Sequence, residues 1–170
     1  MTTADQHFST EAVGIPEADG RFVTVADVQC VELVPGLEFR PVLGERTMVN
    51  FVTFAPHTEA PRHTHEEEQI VIVLEGELDF ELDGDVRTVR PGDVVVIPPW
   101  VPHGARTQDS TCLEVDVFNP PRKTLLDHAN AERERGRATS GNGVSAPSDA
   151  APSDAAPSDA GPSAAGKAGG

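Results

Sequence analysis

The chain has 170 residues, 38% of them hydrophobic but only 5% aromatic, and a formal net charge of −15. Asp149, Asp154, Asp159 and Lys167 account for −2 of that charge, leaving −13 on residues 1–138; so acidic a chain excludes nucleic-acid binding, which needs clustered Lys and Arg. No apolar run is long enough to span a bilayer, MTTADQHFSTEAVG has neither the basic start nor the apolar centre of an export signal, and Cys30 and Cys112 lack CxxC spacing, so a cytoplasmic protein without a membrane partner is expected.

Residues 1–20 carry no periodicity and are expected to be an irregular arm. From Arg21 the chain breaks into short β-like runs with turn signals between them. RFVTVADVQCVELV stops at Pro35-Gly36, LEFRPVL precedes Gly44, and RTMVNFVTFA alternates until Pro56. QIVIVLEGELDFEL leads to Asp83-Gly84 and DVRTVR returns. Asp-Gly between alternating runs predicts a type I′ hairpin, whose two central residues need positive φ. DVVVIP, the loop PWVPHG and a last strand TCLEVDVF follow. Such spacing predicts an all-β sandwich or barrel over residues 21–122. PRKTLLDHANAERERGR, with its proline start, Leu125-Leu126 and glycine end, predicts a short helix over 123–138 that covers the barrel or a partner subunit. Residues 139–170, where APSDA recurs from Ala146, Ala151 and Ala156, cannot bury enough apolar surface to offset chain entropy and are expected to be a disordered tail.

The stretch PRHTHEEEQIVIV carries the first chemical signal. In a strand, alternate residues face one side, so His63, His65 and Gln69 share a face. Two imidazoles and an amide oxygen suit a first-row transition metal. Glu66, Glu67 and Glu68 read as a solvated rim, with Glu67, which has the histidines' parity, as an alternative ligand to Gln69. A second segment, PGDVVVIPPWVPHGART, delivers His103 through a proline-rich turn.

Together these segments resemble the two signature motifs of the cupin family. In the first, His57 stands in the leading glycine slot, then come His63, His65, Gln69 in the glutamate slot and Gly76. In the second, Gly92 and Pro98 precede Trp100 in a glycine slot, His103, and Thr107 in the asparagine slot. The spacings hold while four identities depart. The resemblance implies a single small jelly-roll-like β-barrel around one divalent metal (Fe, Mn, Ni, Zn or Co) held by His63, His65, Gln69 and His103. An all-neutral ligand set would leave the cation's charge uncancelled and favour an anionic or enol-like ligand. His57 reads as a loop residue, and the β-rich residues 21–34 are expected to pair across a homodimer.

On the last strand Leu113, Val115 and Val117 share one face, and Cys112, Glu114, Asp116 and Phe118 the other. The segment DVFNPPR resembles that of the KdgF-like pectin-degradation cupins, which linearise unsaturated uronates. That resemblance implies functional roles for Asp116, Phe118 and Arg122. Arg122 would hold a carboxylate, Asp116 would be the acid/base, and Phe118 would shape an apolar wall. The alternative is an Asp116–Arg122 ion pair at the barrel mouth. Trp100 is expected to wall the substrate pocket or a dimer contact. The reading is a metal-dependent, non-redox ring opening or tautomerisation of a small carboxylated, sugar-like substrate. Alternatives are an isomerase or cyclase of secondary metabolism, an Fe(II) dioxygenase, and a non-catalytic ligand-binding cupin.

Overall fold

The computed structural model describes residues 14–15 and 17–140, except for the side chains of 132, 133 and 136–140. Most of the expected arm, and the expected tail beyond residue 140, lie outside the described residues. The elements are β1 (Val31–Val34), β2 (Leu37–Leu43), β3 (Met48–Phe54), β4 (Glu59–His63), β5 (Glu68–Gly76), β6 (Leu78–Leu82), β7 (Asp85–Val89), β8 (Val94–Ile97), β9 (His103–Arg106), β10 (Cys112–Asn119) and α1 (Lys123–Ser140). They form a six-stranded sheet in the order β1-β2-β3-β10-β5-β8 and a four-stranded sheet in the order β4-β9-β6-β7, with every pairing antiparallel.

Alternation along the strands makes the core. Met48, Asn50, Val52 and Phe54 of β3 point inward, as do Cys112, Glu114, Asp116 and Phe118 of β10. Val52, Phe54, Val71 and Val73 from the large sheet pack with Leu78, Phe80, Val89 and Ala105 from the small one. Each of the larger of these side chains contributes roughly 2 kcal/mol by leaving water. A second cluster, Met48, Phe118 and Leu125, ties α1 to the end of the barrel.

Several local expectations change. RFVTVADVQCVELV is not one strand: Val25–Asp27 forms a short 3₁₀ turn, and only Val31–Val34 is a strand, which pairs with β2 of its own chain. QIVIVLEGELDFEL breaks at Gly76, where φ is +73°, into β5 and β6 in different sheets. Strands β4 and β9 were not foreseen, because EAPRH and HGAR are short and rich in proline, glycine and charge. The hairpin at Asp83-Gly84 is as expected, with φ of +50° and +88°.

Gly76 also permits a close approach. A Cβ there would sit 1.9 Å from the Thr111 carbonyl oxygen, in a conformation that already disfavours side chains. Gly76→Ala is therefore expected to destabilise the barrel by about 3 kcal/mol or more, read as a lowered denaturation midpoint; an unchanged midpoint would refute the close packing at this corner.

Candidate metal centre

His63 ends β4 and His103 begins β9, and they are register partners. Gln69 lies at the start of β5. His65 lies in the loop between β4 and β5, so pleat parity does not align it with His63, contrary to the expectation from the sequence. Backbone hydrogen bonds hold it instead: its carbonyl accepts from the Trp100 N–H at 2.8 Å. The three rings nevertheless gather, with centroids 5.6 Å apart for His63–His65, 4.4 Å for His63–His103 and 4.9 Å for His65–His103. One nitrogen from each lies within 4.8 Å of the others.

All three rings are fixed in one tautomer by the same device. Nδ1 donates to a nearby carbonyl, that of Pro61 at 2.8 Å for His63, Glu67 at 2.9 Å for His65 and Val101 at 2.9 Å for His103. A neutral ring so arranged keeps a lone pair on Nε2. Burial favours the neutral form in each, lowering the proton affinities of His63 and His65 and bringing His103 down to about 4. Nε2 of His103 is buried without a hydrogen-bond partner. Nε2 of His65 faces Oε1 of Gln69 at 3.0 Å, while Nε2 of Gln69 donates to Oδ1 of Asp116 at 2.9 Å. Asp116 therefore turns the carboxamide so that its oxygen meets the imidazoles. Unprotonated acceptors facing one another in a buried site fit a divalent cation.

The remaining residues sort around this centre. Glu66 and Glu68 are exposed, but Glu67 is buried. Its carboxylate lies 3.4 Å from Nδ1 of His65, behind the ring, where it supports His65. His57 is exposed and 3.4 Å from Asp109. His57 and Trp100, in the two glycine slots, have φ of +57° and +66°, so both keep the left-handed backbone that glycine would adopt freely. Thr107, in the asparagine slot, donates to the Ala55 carbonyl at 2.6 Å and accepts from the Thr58 N–H at 3.1 Å, pinning the loop before β4.

A cavity of about 490 Å³ opens onto the centre, lined in part by His63, Gln69, His103, Asp116 and Arg122. Burial raises Asp116 to about 7 against the opposing effects of the Gln69 hydrogen bond and the Arg122 charge. Arg122 lies over the Phe118 ring, 5.6 Å from its centroid, and burial lowers its proton affinity. Phe118 is buried, and its ring meets that of His65 edge-on at 5.6 Å, so it braces two site residues from behind. Trp100 is 64% exposed and is not among the residues lining this cavity, so of its two expected places, pocket wall or dimer contact, the geometry does not favour the first. His128, to which the sequence assigned nothing, does line it, with Thr124 and Leu125. Their helical spacing on α1 was the available signal. Glu114 also lines it, and its parity with Asp116 was legible.

Residues 50–118 match the cupin domain family. Among curated proteins, the H2HPP isomerase of Bacillus subtilis is 38% identical over 65 residues, which is 36% of this chain and 27% of that protein. The match thus spans little more than a quarter of that relative. Among solved structures, KdgF from Halomonas sp. superposes with a TM-score of 0.59 at 29% identity, covering 63% of this chain and 99% of KdgF. The polyketide cyclase RemF from Streptomyces resistomycificus gives 0.54 at 27% identity, covering 59% of this chain and 80% of RemF.

Proposed function

From the premise that residues 50–118 form a cupin domain, we propose that the protein is a metal-dependent enzyme that opens or tautomerises a small unsaturated uronate by non-redox chemistry. The observation that carries this reading is the Gln69–Asp116 hydrogen bond, which joins the candidate metal centre to an acid/base group at the edge of the cavity. His63, His65, Gln69 and His103 would hold the cation. When bound, a divalent metal supplies Lewis acidity toward a hydroxyl or carbonyl oxygen. Arg122 binds the substrate carboxylate, its guanidinium plane held against Phe118. Asp116, with a proton affinity near neutrality, accepts or donates the proton that moves. The apolar walls exclude water from the reacting atoms.

The test is incubation of the metal-loaded protein with a 4,5-unsaturated monouronate, followed by loss of the C=C absorbance and by an oxygen electrode. Loss of absorbance without oxygen uptake is expected. Oxygen uptake would favour the dioxygenase alternative. A ligand retained unchanged would favour the binding-module alternative.

The reading extends to a homodimer. Arg40, Phe51, Val115, Ile72 and Val94 form one row across the outer face of the large sheet, and Val42, Val49, Val117, Ile70 and Val96 form another. The outer face of an antiparallel sheet is usually polar, and an apolar one marks an interface. In a chain of charge −15, these two acid-free rows let two copies meet without apposing acids, and a two-fold axis makes such a face self-complementary. Val115→Arg is expected to convert a dimer to a monomer in light scattering. A dimer surviving that substitution would place the interface elsewhere.

A further inference from the structure

The proposed chemistry leaves one buried acid without a task. Glu114 lies two residues before Asp116 on the inward face of β10, about 7 Å along the strand at the usual rise, on the side away from Arg122. It is 4% exposed, and its Oε2 is buried with no hydrogen-bond partner. Its cross-strand neighbours are Val52 and Val73, and Leu37, Phe39, Phe54 and Phe80 line the same cavity. A carboxyl oxygen left unpaired beside apolar side chains weakens the fold, and an aliphatic residue would pack there at no such cost. Its retention therefore calls for a partner that enters from the cavity.

We propose that Glu114 binds substrate, exchanging a hydrogen bond with a neutral hydroxyl or carbonyl oxygen on the end of a ring carboxylate opposite the group that Arg122 holds. This deepens the uronate reading and rests on it. A second anionic group is disfavoured at that end, because Asp116 and Glu114 face the cavity together. An apolar end would leave Oε2 unpaired. Burial and mutual repulsion raise the proton affinity of Glu114, so the side chain offers both a donor and an acceptor. A cavity of about 490 Å³ is of the size that takes a monosaccharide-sized ligand.

The experiment compares the metal-loaded wild type with Glu114→Leu and Glu114→Gln. The probes are D-galacturonate and cyclohexanecarboxylate, a ring acid without hydroxyls, titrated calorimetrically. The wild type is expected to prefer the uronate by about tenfold or more, the fold-change that one net hydrogen bond to a hydroxyl is worth. Glu114→Leu should erase the preference, and Glu114→Gln should keep most of it. Independently, Glu114→Leu should raise the melting temperature of the protein by about 4 °C, because an unpaired buried carboxyl is removed. An unchanged preference in Glu114→Leu, a lower melting temperature or a failure to fold would overturn the assignment. If the wild type binds neither probe, the uronate reading fails. The melting temperature alone then decides Glu114, a rise keeping it as a ligand-binding group and a fall making it structural.

Discussion

Asp116→Asn is expected to lower turnover of an unsaturated uronate by about a hundredfold to ten-thousandfold, the range supplied by a positioned acid or base, and to leave metal content unchanged. The separation follows from the geometry. Asp116 receives the Gln69 Nε2 hydrogen at Oδ1, 2.9 Å away, and an asparagine oxygen can accept the same hydrogen. Gln69 then keeps its carboxamide oxygen turned toward the imidazoles. What asparagine cannot do is take up and release a proton near neutral pH. Metal analysis beside a turnover assay reads both halves. Turnover within a few-fold of wild type would remove Asp116 from the chemistry, and loss of metal together with activity would make it a positioning residue for Gln69 instead.

His103→Ala is the second large effect. Even outer partners of ligating histidines change metal affinity by about ten- to a hundredfold, so removing a ligand should cost more than about a hundredfold and abolish turnover. His103 is the informative choice because its Nε2 is buried and has no other partner, and its ring otherwise meets the Val101 carbonyl, Phe80 and the two other site histidines. The side chain does little for the fold that a metal-free role would explain. Elemental analysis after dialysis against divalent ions is the measurement. Stoichiometric metal in the alanine variant would sink the four-residue centre, and with it the electrophile on which the proposed reaction depends.

Much of this site was legible before any coordinates. The resemblance of the segments from His57 to Gly76 and from Gly92 to Thr107 to the cupin motifs supplied the four candidate ligands, and strand alternation put Asp116 and Phe118 on one face. The shared face follows from the two-residue period of a strand, while the ligand set rested on the resemblance to the cupin motifs; both are read from contiguous sequence. The Asp83-Gly84 hairpin succeeded for the same reason: two residues with positive φ are a local demand.

Where the reading needed more than local rules it failed. His65 was expected to face inward by sharing a strand with His63, yet a loop held by Glu67 and Trp100 backbone groups sets its direction. Trp100 was expected at the pocket or at a dimer contact; the left-handed turn there leaves its side chain exposed, off the cavity wall. Glu67 looked like one of three rim charges until packing buried it beside His65.

The sequence by itself determined the strand-rich architecture and the shared face of Asp116 and Phe118, and its resemblance to the cupin motifs supplied the candidate ligand set, because periodicity and motif spacing are properties of contiguous chain. Tertiary structure alone decided the gathering of the three imidazoles, the orientation of Gln69 by Asp116, the place of His128 on the cavity wall and the burial of Glu114 Oε2 without a partner. Each of those depends on a hydrogen-bond partner or a neighbouring wall from a distant segment. No one-dimensional pattern records which distant atoms a side chain meets, and those meetings turn a set of donors into a site.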